Sequence, residues 1–180
     1  MNRSDVVAAL GAARPLSDGS APWTLRFIDI ADRQFGGVWS SRILTGAEAL
    51  EILVPPHAGE PCKGDRLTLV DPAGATVREA ARRLAQLRDD YRDANQSCWG
   101  RIEQAATTAF SGIILTTAPL EADDYKGMAP LAGRLYHLDG FHRLVGWAWA
   151  GRLTSGTARV PALIAGSLGE RAKASEPERT

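Results

Sequence analysis

The sequence predicts an α+β protein, a small mixed sheet with helices, and three observations predict it. Hydrophobic residues make up 44% of 180 positions, enough to build the core of one domain or of a domain with an appendage. Val77, Ala80, Ala81, Leu84 and Leu87 recur at i, i+3, i+4, i+7 and i+10, which is one face of a helix. "SGIILTTAP" is a short continuous apolar run with β-branched residues, the pattern of a buried strand. From residue 76 the order reads helix, helix, strand, loop, strand, helix, strand, a layout built around a small sheet.

Taken in order, Ser4 is placed to cap a helix over residues 5–13, ended by Arg14 and Pro15. Residues 15–22 read as a loop. "WTLRFIDIA" alternates imperfectly and is rich in strand formers, so residues 23–31 are expected to be a strand. "DRQFGGVWSS" reads as a turn into another short strand. Thr45 caps a helix over residues 46–54, stopped by Pro55 and Pro56. Residues 57–65 form a loop, 66–70 a short strand and "DPAG" a turn.

The helix from Thr76 runs to about Asp93, and a second covers residues 97–109 with Trp99, Ile102 and Ala106 inward. The buried strand follows, then the polar loop "LEADDYKGMAP". "RLYHL" is a strand broken by Asp139 and Gly140. "FHRLVGWAWAG" is a helix with Leu144, Val145, Ala148 and Trp149 inward, closed by Gly151. "ARVPALIAG" is a last strand. The division expected is an N-terminal α/β segment over 1–75 packed on a core over 76–166, with a charged tail, 167–180, expected to be disordered.

The formal net charge is zero, which argues against a broad nucleic-acid surface, so no nucleic acid is expected as a partner. The N-terminal stretch carries Asp5 and Arg14 and lacks the apolar run of a signal peptide. No apolar run approaches the roughly 18–20 residues that span a bilayer. Cys62 and Cys98 have no zinc or disulfide spacing and read as reduced thiols, which points to the cytoplasm. The oligomeric state is not legible.

Chemistry concentrates in "YHLDGFHRLVGWAWAG", which holds two of the three histidines. A strand ends at Leu138 and a helix begins near Phe141. The first amides of a helix lack internal partners and concentrate partial positive charge. Gly140 allows a tight turn and close approach of a ligand. His142 and Arg143 then add side-chain donors, so backbone, imidazole and guanidinium together suit a phosphate. The alternative is a plain helix start with Asp139 as its N-cap.

"LYHLDGFHRLVGWAWAGRL" with "VPALIAG" resembles the ParB/sulfiredoxin-like superfamily, over roughly residues 110–166. The shared element is a strand, a Gly-x-[His/Arg]-Arg turn, a helix with small residues, a glycine, and a strand starting near a Val-Pro. The resemblance implies a nucleotide site, with ATP or another nucleoside triphosphate held at Gly140, Phe141, His142 and Arg143. Sulfiredoxins carry a cysteine where this chain has Phe141, which removes that chemistry. ParB-type clamps carry a Gly-Glu-Arg-Arg form and a DNA-binding domain after it; His142 and the short remaining sequence depart from both. The acid-Gly-x-His-Arg form sits closest to the free-serine-kinase-like branch. It implies a nucleotide-dependent phosphotransferase acting on a small molecule such as an amino acid.

In that reading Arg143 holds phosphates and His142 donates a hydrogen bond or serves as acid or base. Asp139 holds Mg²⁺, orients Arg143, or caps the helix. A kinase also needs a carboxylate to accept the substrate proton. Glu121 is the leading candidate, with Asp123, Asp124 and Asp29 behind it. Thr116, Thr117 and Lys126 are candidate phosphate contacts. His137 reads as a partly buried strand histidine, and His57 is given no role. Trp147 and Trp149 point to different faces of their helix and read as packing. The competing readings are a nucleotide-sensing or protein-binding module without turnover, and an enzyme of other chemistry that reuses the anion site.

Overall fold

Two helices open the chain in the computed structural model, α1 (Arg3–Ala13) and α2 (Ala21–Gln34). The structure describes residues 1–13, 21–56 and 67–168. Helix α2 replaces the strand expected over 23–31. Thr24, Phe27, Ile28 and Ala31 are buried, and their spacing of i, i+3, i+4 and i+7 is a helical stripe. The apparent alternation breaks at Trp23, which is 41% exposed.

Strand β1 (Trp39–Thr45) follows, then the short helix α3 (Gly46–Leu50). Thr45 caps α3 as expected, in a capping box with Glu48. The helix expected through Val54 stops early. Leu53 turns its N–H to the Leu135 carbonyl, and Leu53–Val54 becomes β2, with Ile52 and Val54 buried. Residues 67–70 form no strand, although Leu69 and Val70 are buried; the short strand here is β3 (Ala75–Thr76). The 57–65 loop, with His57 and Cys62, and the tail from 169 lie outside the described residues.

The long helix expected from Thr76 is two helices, α4 (Val77–Gln86) and α5 (Arg88–Ala94), parted at Leu87. Helix α6 (Gln96–Thr107) buries Trp99, Ile102 and Ala105, with Ala106 only half-buried. Strand β4 (Ile113–Thr116), strand β5 (Tyr136–Asp139), helix α7 (Phe141–Trp149) and strand β6 (Arg159–Ala165) follow the expected order. On α7 the fully buried indole is Trp147, while Trp149 is half-buried against the edge of Trp99. Gly151 ends α7 in the left-handed region.

The six described strands form one mixed sheet in the order β1-β6-β4-β5-β2-β3. Pairs β1/β6, β4/β5 and β2/β3 are antiparallel; β6/β4 and β5/β2 are parallel. Alternation along the strands builds two cores. Leu44, Ile113, Leu115, Ala162 and Ile164 pack with α4, α6 and α7. Trp39, Ile114, Tyr136, Leu138 and Ala165 pack with α1 and α2. Residues 1–75 therefore supply strands to the same sheet as residues 76–166. No helix among the described residues is long and apolar enough to cross a membrane.

Candidate functional site

Strand β5 ends at Asp139, and Gly140 takes φ 107°, a left-handed conformation that favours glycine. A Cβ built at this position would lie 2.7 Å from Ile113 Cγ2, so the turn is also packed against β4. Gly140 is the N-cap of α7 and contributes no side-chain cap. Asp139 sits one residue too early to be that cap, which corrects one of its expected roles.

Asp139 is buried, and it joins three parts of the fold. Its Oδ1 accepts a hydrogen bond from Thr24 Oγ1 of α2 at 3.0 Å. Its Oδ2 accepts from Arg143 Nη2 at 2.7 Å, an i,i+4 ion pair with both side chains largely buried. Arg143 Nη1 also donates to Ser111 Oγ at 3.0 Å and to the Gly112 carbonyl at 2.6 Å. The guanidinium thus ties the start of β4 to the end of β5. Of the roles expected for Asp139, orienting Arg143 is the one the geometry provides.

His142 follows on the first turn of α7, half-buried, its ring edge-on to Phe141 at 5.5 Å. Phe141 in turn meets His137 edge-on at 6.1 Å. His137 is buried in β5, and its carbonyl accepts a 2.6 Å hydrogen bond from the Tyr125 hydroxyl. Burial pushes the Tyr125 phenol up from its ordinary value, aided by the charges of Asp124 and Asp139, so it remains a neutral donor. The first turn of α7 holds no acidic residue. Backbone partial charge, His142 and Arg143 converge there, beside the Asp139 carboxylate.

The remaining predicted residues lie elsewhere. In the antiparallel β4/β5 pair, Ile114 faces Asp139 while Thr116 faces Tyr136, so Thr116 and Thr117 sit at the opposite end of the sheet from the turn. Thr116 is buried and donates to the Ala118 carbonyl; Thr117 N–H donates to the Ala165 carbonyl. Glu121 N–H donates to Gln34 Oε1, and Gln34 Nε2 donates to the Pro119 carbonyl. Thr24 lies in the first turn of α2 and Gln34 is its last residue, separated by about 15 Å of helix. Glu121 is therefore remote from Gly140 and is not placed as a base there. Lys126 is exposed, on the loop that follows Glu121.

Glu121 instead borders a shallow cleft of about 540 Å³ with Arg26, Asp29, Arg33 and Gln34. Asp29 pairs with Arg3 at 2.5 Å. Asp124 stands nearby, its carboxyl pushed above its ordinary value by burial, opposed by Arg26 and assisted by Asp123. Among the described residues no group of three His, Cys, Asp or Glu side chains could hold a metal ion. A metal ion at Asp139 would have to compete with Thr24 and Arg143 for the two carboxylate oxygens.

Sequence reasoning missed Thr24 and Ser111. The helical stripe through Thr24 was readable; nothing local marks Ser111, which reaches Arg143 only through the pairing of β4 with β5. Comparison with curated proteins and with solved structures gave no match. The sequence model of a family of unknown function (DUF6309) matches residues 18–180, and the chain belongs to that family.

Proposed function

We propose that the Gly140 turn binds the phosphates of a nucleotide, and that the chain is a nucleotide-dependent phosphotransferase acting on a small molecule. One observation carries the reading: the first turn of α7 starts at a left-handed glycine and bears His142 and Arg143 with no acid. Helix dipole, imidazole and guanidinium all favour an anion there. The resemblance of this run to the ParB/sulfiredoxin-like turn supports a nucleoside triphosphate such as ATP as that anion. Gly140 gives the ligand access to backbone, and His142 donates to a phosphate oxygen. Arg143 is a positioning residue, because Asp139, Ser111 and Gly112 already hold its guanidinium.

A second reading, nucleotide sensing without transfer, draws on a specific feature. The carboxylate at the turn, Asp139, is committed to Thr24 and Arg143, while Glu121 lies about 15 Å of helix away. Titration calorimetry with ATP, CTP and ADP, with and without Mg²⁺, tests the shared premise. Binding is expected, weakened roughly ten-fold or more in His142→Ala, the scale of one hydrogen bond to a charged group. Failure of every nucleotide to bind overturns both readings. Binding without phosphorylation of any amino acid or other small hydroxyl compound selects the sensor.

A further inference from the structure

Strand β1 is one border of the sheet, and β3 is the other. The β3 border is two residues long. The β1 border is seven, and its register with β6 runs unbroken from Trp39 against Ala165 to Thr45 against Arg159. Gly166 N–H donates to the Val38 carbonyl. Antiparallel pairing alternates, so that bond sets the phase. Ser40, Arg42 and Leu44 direct their backbone groups to β6. Trp39, Ser41 and Ile43 direct theirs outward. Thr45 also faces outward, but its N–H is held by Glu48.

An exposed, straight row of amides and carbonyls is a template for another strand, and edges are commonly guarded by proline, lysine, a bulge or an inward charge. β1 has no proline, no lysine and no bulge. Its one charge, Arg42, is engaged by Glu48 at 2.5 Å. Ser41 is exposed and Ile43 is 55% exposed. Among the described residues no strand pairs with this border.

We propose that this edge joins two copies of the chain, β1 to β1, antiparallel about a two-fold axis at Ser41. That axis sets Ser41 against Ser41 and Ile43 against Trp39, so the three outward residues of each strand are matched with none left over. Arg42 then faces Ser40. An axis one residue further, at Arg42, keeps the phase but opposes two guanidiniums, and like charges directly opposite are unfavourable. The strand is therefore complementary to itself, which suits a closed isologous pair over an unrelated peptide. The short β3 border ends the assembly at two copies.

Light scattering after size exclusion, on the full chain over a range of concentrations, tests this. The native chain is expected to elute with twice the mass of one chain. Ile43→Lys places a charge on the exposed face and Ser41→Pro removes an outward N–H that β6 does not use; both are expected to be monomeric. Circular dichroism of Ile43→Lys checks that its fold is kept. Hydrogen exchange reads the same edge, with the Ser41 and Ile43 amides slow in the native chain and fast in Ile43→Lys. A native chain that is monomeric at every concentration overturns the proposal. So does a dimer that persists in both variants, or slow amides in a monomer, which assigns the edge to another segment of the same chain.

Discussion

Arg143 illustrates how one side chain can look functional in sequence and act structurally in the fold. Its neighbours in sequence, Gly140 and His142, suggest a ligand. Its partners in space are Asp139, Ser111 and Gly112, brought together by β4 and β5. Replacing Arg143 by Ala removes the ion pair its guanidinium makes with the buried Asp139, a loss expected to cost roughly 3 kcal/mol of stability. Thr24→Val, which removes one hydroxyl from the same carboxylate, is expected to cost about 1 kcal/mol. Urea denaturation ranks the two, and equal effects contradict the clamp. The run from Asp139 to Arg143 was legible because its members are adjacent in the chain. Glu121, Thr116 and Thr117 were not, because a separation of about twenty residues says nothing about which end of a sheet each occupies.

Among the elements, the start of α3 was legible, since a cap is written within four residues; the cap expected at Ser4 was not found, because α1 already begins at Arg3 and the Asp5 N–H donates to Asn2 Oδ1. Thr45 with Glu48 and Thr76 with Glu79 both form capping boxes. Thr76→Ala is expected to cost about 1 kcal/mol. The Thr76 N–H and hydroxyl hold the Glu79 carboxyl below its ordinary range. A depressed carboxylate stabilises the fold above its unfolded value and ceases to do so as pH falls through its folded value. Glu79→Ala is therefore expected to be less stable than the native chain at neutral pH, with the gap closing in acid. Thermal melts from pH 7 to pH 2 read that trend; a gap that widens in acid contradicts it. Short apolar stretches were less legible. Residues 52–54 continue a helical pattern on paper, and the partner strand β5 makes Leu53–Val54 a strand. Residues 23–31 carried both periods, and burial against the sheet selected the helical one.

Across the whole molecule, the sheet interleaves early and late sequence. β1 covers one side of β6, and β2 lies beside β5. A fragment of residues 76–168 lacks both strands and the α1 and α2 layer that covers Ile114, Tyr136 and Leu138. It is expected to show no cooperative unfolding transition by circular dichroism and calorimetry; a two-state transition in that fragment contradicts a shared core. The sequence by itself determined the α+β class, the Thr45 cap, the buried strand β4, the last strand β6, and the glycine turn with its cluster of donors. These are local, carried by periodicity and by residues a few positions apart. Only the tertiary structure decided that Thr24 and Ser111 meet at that turn, that Glu121 does not, and that β1 borders the sheet of the described residues. Those outcomes depend on which strands pair and in what register, and strand pairing joins residues whose separation along the chain leaves no local trace.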